Sequence, residues 1–247
     1  MRTPILALHG FMGTGADWQP VAERLASPVI APDLPGHGTA VGLAKSAYTM
    51  DAASDALVAA LDVRQLESVV VAGYSMGGRL ALHFALLHPE RVAGLALISA
   101  SPGLPTEVER VARRQLDVER AEAIQQDLPA FLDQWYRAEL WGGPPKVVRR
   151  QLVERRMPND PVELARSLRG MGTGVQPWHG DRLREIGVPG VVVAGARDAK
   201  YVALARTMAA RSSLRPVIVP DAGHALLIEA PAAVAACLSD LLSFLDG

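Results

Sequence analysis

Short apolar runs alternate with stretches of helical periodicity along most of the chain. "PILALH" (residues 4–9), "PVIAPD" (28–33), "SVVVAGY" (68–74), "GLALISA" (94–100), "VPGVVVAG" (188–195) and "RPVIVP" (215–220) each read as a strand. Their apolar character is continuous rather than alternating, the pattern of strands buried on both faces of a sheet. Between them, "GADWQPVAERLA" (15–26), "DAASDALVAALDV" (51–63) and "MGGRLALHFALLH" (76–88) read as helices, and helical sequence follows each of the last two strands. Such alternation predicts an α/β fold with a mostly parallel, doubly wound sheet.

From about Ser101 to Arg184 the pattern changes to helical sequence rich in Arg, Glu and Leu, without a strand run. "WGGPPK" (141–146) divides this stretch and reads as an exposed turn. The expected organisation is an α/β core from residues 1–100 and 185–247, with 101–184 as a helical cap insertion. The insertion should roof the C-terminal edge of the sheet, where ligands bind in open α/β folds.

Composition narrows the function classes. The 247 residues are 49% hydrophobic, enough for a large core, and the formal net charge is -1. A near-neutral balance argues against nucleic-acid binding and against a membrane surface. The single cysteine, Cys237, excludes an intramolecular disulfide and a cysteine-based zinc site. It lies in the apolar helical pattern "AAVAACLSDLLSFL" and reads as a small buried hydrophobe. The apolar run Ile5 to Leu8 is too short for a signal-peptide core, and no window has transmembrane length. A soluble cytoplasmic protein with no membrane insertion is expected.

Candidate chemistry centres on "GYSMG", Gly73 to Gly77, which fits G-x-S-x-G with a strand before it and a helix after it. On such a turn the Ser75 hydroxyl projects over the sheet edge, and the glycines remove side chains that would clash. A serine nucleophile needs a base, and the base an orienting acid. Asp198 follows one strand in "VVVAGARDAKY" and His224 follows the last in "VIVPDAGHALLIE", so both fall on the edge that carries Ser75. Asp198 also suits a helix N-cap, and Asp221 is a rival acid that more readily shapes the His224 loop. The backbone N–H groups of Phe11, after the first strand, and of Met76 would form an oxyanion hole. His83 and His88 read as packed or capping, His37 as a turn residue, and His179 has no evident place. No His, Cys, Asp or Glu cluster has metal-ligand spacing, so neither metal nor cofactor is expected.

Arg79 is not required by this scheme. Four residues past Ser75 it shares a helical face with the serine, within otherwise apolar sequence. A cation in a first helical turn opposes the helix dipole, at about 0.3–1 kcal/mol. Left unpaired and buried it costs about 3–5 kcal/mol. Arg79 therefore calls for an anion, either an internal carboxylate or a substrate carboxylate gripped bidentately. "VERVARRQLDVER" and "VRRQLVERRMPND" in the insertion are dense in arginine. Most of these residues should be solvated or paired along their helices, but a cationic roof would suit a small polyanion.

The pieces "LHGFMGTGADW", "DLPGHG", "GYSMGGRLAL", "SASPGL", "ARRQLD", "FLDQWY", "LRGMGTGVQP", "GARDAKY" and "AGHALLIEAP" carry a resemblance nearly end to end. The chain resembles the 2-succinyl-6-hydroxy-2,4-cyclohexadiene-1-carboxylate synthase (MenH) family of the α/β-hydrolase fold. "GYSMGGR" and "LHG" are common among hydrolases, whereas "SASPGL", "ARRQ" and "MGTG" followed by "QP" are more specific. The resemblance implies that Ser75, Asp198 and His224 form a triad. It implies that Tyr74, Arg79, Arg113, Arg156 and Trp135 contact substrate, with Arg114 and Arg155 as neighbours able to take the arginine roles. The sequence departs from the family at Leu226 and Leu227, where relatives often carry a polar residue or histidine.

The implied reaction is a cofactor-free lyase step of menaquinone biosynthesis. It eliminates pyruvate from a cyclohexene bearing several carboxylates, with the triad as general base. A serine hydrolase, acting on an ester or a carbon–carbon bond through an acyl-enzyme, would use the same triad. A non-catalytic small-molecule receptor on this fold is a further reading, which an intact Ser/Asp/His set disfavours.

Overall fold

The computed structural model describes residues 2–141 and 143–247. The strands are β1 (Ile5–Leu8), β2 (Val29–Ile30), β3 (Val69–Tyr74), β4 (Val92–Ile98), β5 (Gly190–Gly195) and β6 (Arg215–Val219). They form one parallel sheet in the order β2-β1-β3-β4-β5-β6. The α-helices are α1 (Gln19–Ala22), α2 (Met50–Asp62), α3 (Met76–Leu87), α4 (Glu107–Gln126), α5 (Leu128–Trp135), α6 (Lys146–Arg156), α7 (Pro161–Met171), α8 (Ala199–Ala209), α9 (Leu226–Glu229) and α10 (Pro231–Asp246).

The continuous apolar runs have the explanation their pattern predicts. Alternate residues of a strand point to opposite faces. Leu6, Leu8, Val69, Val71, Leu95 and Leu97 pack with Leu57 and Leu61 of α2 and Leu80 and Phe84 of α3. On the other face, Ile5, Val70, Ile98 and Val193 pack with Trp18 and Val21 and with Leu238 and Leu241 of α10. Both faces are thus closed to water, as parallel sheets require.

Between β4 and β5 the described residues hold α4 to α7 and no strand. Their own core joins Ala121 and Ile124 of α4, Phe131 and Leu132 of α5, Leu152 of α6 and Leu164 and Leu168 of α7 to Met12 and Ala225 at the sheet edge. Three of these four helices start at a side-chain cap, α6 being the exception. Thr106 and Glu109 form a capping box on α4. Asp127 caps α5 through Ala130 N–H, and Asp160 caps α7.

Two expectations need correction. The helix expected over 15–26 is a 3-10 turn, Gly15–Trp18, followed by the single-turn α1. A Cβ at Gly15 would lie 1.9 Å from the Ala31 carbonyl oxygen, so the chain is pressed against the β2 edge there, and Pro20 starts a fresh turn. "WGGPPK" is not an exposed turn throughout: Trp141 is buried against Tyr136, with ring centroids 4.6 Å apart. Gly142 of that stretch lies outside the described residues. None of the described helices is long and apolar enough to cross a membrane.

Candidate active site

Ser75 sits on the β3–α3 turn with φ 52° and ψ −109°, a conformation side chains rarely adopt. The strain persists because the turn has no room to relax. A Cβ at Gly73 would lie 2.2 Å from the Gly77 carbonyl oxygen, and one at Gly77 2.2 Å from that of Leu8. The Ser75 Oγ is 3.2 Å from His224 Nε2, and His224 Nδ1 is 2.7 Å from Asp198 Oδ2. Asp198 can only accept, so Nδ1 carries the proton and Nε2 offers its lone pair to the serine hydroxyl. The other Asp198 oxygen accepts the Tyr201 N–H at 3.2 Å, so one carboxylate both caps α8 and contacts His224. Asp221, the rival acid, is an exposed turn residue with φ 54°. The imidazole of His224 is enclosed by the rings of Tyr201, Trp141 and Tyr74, with centroids at 4.6, 5.2 and 5.7 Å.

The loop after β1 is braced by two histidines. His9 Nδ1–H donates to the Gly10 carbonyl (2.8 Å), and its Nε2 accepts the Leu34 N–H (2.9 Å). His37 Nδ1–H donates to the Pro35 carbonyl (3.1 Å), and its Nε2 accepts the Met12 N–H (3.0 Å). Burial pushes the His9 pKa down to about 4 and that of His37 to about 3, so both are neutral acceptors. The reading of His37 as a mere turn residue is corrected: it is fully buried and holds the loop that presents Phe11. The N–H groups of Phe11 and Met76 have no acceptor among the described residues, and both residues line one cavity with Ser75.

The model of the alpha/beta hydrolase family matches residues 5–237. A protein of Bacillus subtilis named putative 2-succinyl-6-hydroxy-2,4-cyclohexadiene-1-carboxylate synthase is 37% identical, over 97% of this chain and 90% of its own. The synthase of that name from Pectobacterium atrosepticum is 33% identical, over 97% and 93%. This chain belongs to the MenH family of α/β hydrolases. Among solved structures, MenH from S. aureus superposes with a TM-score of 0.93 at 28% identity, over 99% of this chain and 95% of that one. A malate-bound thermophilic esterase from Thermogutta terrifontis superposes at 0.83 and 27% identity, over 99% and 91%.

In this MenH-family chain the cavity beside Ser75 has a volume of about 480 Å³ and is lined by Arg79, Arg113, Arg120, Trp135 and Tyr201 among others. Arg79 is buried, and its Nη1 donates to the Met171 carbonyl (2.9 Å) and Gln176 Oε1 (3.2 Å). Both acceptors are neutral, and Arg79 makes no ion pair with a carboxylate among the described residues. Burial and then Arg113 lower its pKa to about 10, which leaves it charged at neutral pH. Arg113 Nε bonds Asp117 Oδ1 at 2.7 Å. Arg114, its neighbour, turns away to Glu107 and the Gly174 carbonyl.

Arg156 lines a neighbouring cavity and is paired with a carboxylate. Its Nη1 and Nη2 donate to the two Asp17 oxygens at 2.9 and 2.7 Å, in the interior. Burial lowers its pKa, but Tyr136 and Asp17 outweigh that and raise it. The charge of Arg156 is paired with Asp17 at the wall of a cavity it shares with Ser75 and His224, while Arg155 is half exposed and 3.8 Å from Asp17. Arg156, Asp17, Tyr74 and Tyr136 line a second, aromatic cavity that meets the first at Ser75, Phe11 and Trp135. Tyr74 belongs to that cavity, its ring packed flat on Gly10, where a Cβ would approach it to 2.8 Å. Leu226 and Leu227 are buried in the core on the α10 face, and Leu227 also lines the second cavity.

Sequence reasoning missed Asp17, Gln176, Trp141, Tyr201 and Arg120. Arg120 had a readable signal, its i+7 spacing from Arg113 on one helix face. His179, unplaced by sequence, shares a hydrogen bond between its Nε2 and His83 Nδ1 at 3.0 Å, and His83 Nε2 in turn bonds Asp51 at 2.7 Å.

Proposed function

We propose that this chain is the pyruvate-eliminating lyase of menaquinone biosynthesis. It would convert 2-succinyl-5-enolpyruvyl-6-hydroxy-3-cyclohexene-1-carboxylate to 2-succinyl-6-hydroxy-2,4-cyclohexadiene-1-carboxylate. The observation that carries this reading is Arg79, a buried guanidinium with neutral partners only, in the cavity that holds Ser75. A neutral-ester hydrolase has no use for that charge, whereas a substrate carboxylate completes it.

The chemistry follows from the positions. His224, held by Asp198, takes the Ser75 hydroxyl proton as Oγ removes the ring proton next to the succinyl ketone. The electron pair moves onto the ketone oxygen, where the Phe11 and Met76 N–H groups stabilise the negative charge. It returns through the ring double bond and expels the enolpyruvyl oxygen in a 1,4-elimination. The departing pyruvate enol recovers the proton, so the step is redox-neutral. Arg79 and Arg113 hold carboxylates, and Trp135 walls the ring. Orientation of this kind contributes up to about 7–11 kcal/mol of barrier reduction.

A serine hydrolase acting through an acyl-enzyme is the second reading, favoured by the 3.2 Å Ser75–His224 contact and by the likeness to an esterase. The two are separated by generating the unstable intermediate in situ and following pyruvate with a coupled assay, with p-nitrophenyl acetate alongside. Rapid pyruvate release that is lost in Ser75→Ala is the expected result. Brisk ester turnover without pyruvate, or wild-type pyruvate release by Ser75→Ala, would overturn the lyase reading.

A further inference from the structure

Four arginines, Arg79, Arg113, Arg120 and Arg197, line the cavity beside Ser75, and their internal compensation is unequal. Arg113 has a short bond to Asp117 Oδ1 at 2.7 Å, while Arg120 reaches the same oxygen only at 3.8 Å. The other Asp117 oxygen faces the Gly174 N–H at 3.4 Å. One buried carboxylate therefore serves two arginines and a backbone donor, and Arg79 has no carboxylate. With Arg79, Arg113, Arg120 and Lys200 positive, Arg197 neutralised by Glu229, and Asp117 and Asp198 negative, the cavity wall keeps an excess of two positive charges. Lys200 at the mouth is exposed and lies over the Tyr201 ring, and Arg197 is taken up by Glu229.

Arg120 is not a loose surface side chain. Its guanidinium carbon sits 5.0 Å from the centroid of Trp135, within cation–π reach of the ring. Arg113 and Arg120 are seven residues apart on α4, about 10 Å along its axis. Both side chains nonetheless lean to the same Asp117 oxygen, at 2.7 and 3.8 Å, and the longer separation leaves Arg120 the less compensated of the two.

We propose that Arg120 is a further substrate-binding residue that grips one carboxylate of a small ring-bearing polyanion, beside Arg79 and Arg113. The assignment rests on the lyase reading and deepens it. Arg79, Arg113 and Arg120 form the anion-holding set, and the Arg156–Asp17 pair is a wall of the second cavity. Burial and the nearby Arg113 lower the Arg120 pKa, as expected where positive charges await an anion.

The test compares Arg120→Met, Arg120→Lys and wild type in pyruvate release, with p-nitrophenyl acetate turnover and thermal melting as controls. Methionine keeps the length and apolar contact with Trp135 but loses the charge. Arg120→Met should raise KM for the intermediate by on the order of ten- to hundredfold, the range for a hydrogen bond to a charged group, with kcat within about twofold. Arg120→Lys should recover part of the loss, the melting temperature should match that of wild type, and tricarballylate should inhibit wild type more strongly than Arg120→Met. An unchanged KM in a folded Arg120→Met protein, with wild type releasing pyruvate, overturns the assignment and leaves the lyase reading intact. Absence of pyruvate release by wild type removes both.

Discussion

Gln176→Glu puts the Arg79 argument at risk most directly. Gln176 is fully buried, and its Oε1 accepts from Arg79 Nη1 at 3.2 Å. Glutamate has nearly the same shape but supplies the internal carboxylate that this site lacks. At that separation and an effective dielectric of about 20, the new pair attracts by about 5 kcal/mol. A substrate carboxylate on the far side of the guanidinium, about 6 Å from the new charge, is repelled by about 3 kcal/mol, about a hundredfold in affinity. The repulsion acts on bound substrate and transition state alike, so KM should rise while kcat changes little. Gln176→Leu is the paired control. It removes the acceptor without adding charge and leaves Arg79 its bond to the Met171 carbonyl, so its KM should rise far less. Both proteins are assayed for pyruvate release across intermediate concentrations, with p-nitrophenyl acetate turnover reporting an intact Ser75. A wild-type KM in the Gln176→Glu protein would refute the reasoning, because Arg79 would then meet no substrate anion.

Two further outcomes follow from groups outside that cavity. Asp17→Ala strands the Arg156 guanidinium in the interior and should lower unfolding stability by about 3–5 kcal/mol, read as a fall in urea midpoint at unchanged slope. Removing Arg156 as well, as Asp17→Ala with Arg156→Met, should recover part of it. His9, His37 and His179 are held neutral by burial, with pKa values of about 4, 3 and 4 against 6.5 when exposed. The unfolded chain therefore takes up protons first, and stability is lost as pH falls from 6.5 towards 4. At pH 5 each histidine should contribute a loss of about 2 kcal/mol, and equal urea midpoints at pH 7.5 and pH 5 would contradict this.

How much could be read beforehand depended on the range of the interaction. β1, β3, β4 and β5 were legible because burial on both faces demands continuous apolar runs. The edge strand β2 is half exposed and only two residues long, so its signal ran past its end. The approach of Ser75, Asp198 and His224 was legible because each follows a parallel strand, and parallel strands end on one edge. The fate of Arg156 was not, since Asp17 lies 139 positions away and no local spacing records such a pair. His37 was misjudged for a related reason. "PGHG" has turn chemistry, and only the packed loop shows that its imidazole is enclosed and accepts the Met12 N–H.

The strand order also bears on how the chain folds. β1 with β2, β3 with β4, and β5 with β6 pair across loops of about 24 residues each. β4 and β5 are neighbours in the sheet, yet their partners Ile98 and Val193 close a loop of about 95 residues, which contains all of α4 to α7. Closing it costs about 1.2 kcal/mol more chain entropy than closing the shorter ones. On loop closure alone, β1–β3 pairing (Ile5 with Val70, about 65 residues) precedes β4–β5 pairing by only about 0.3 kcal/mol, and the expected order docks the β5–β6 half onto a β2-β1-β3-β4 nucleus. Ser75 belongs to the nucleus, Asp198 and His224 to the late half. During refolding, recovered turnover therefore clocks the joining of the two halves and lags behind the secondary structure seen by circular dichroism.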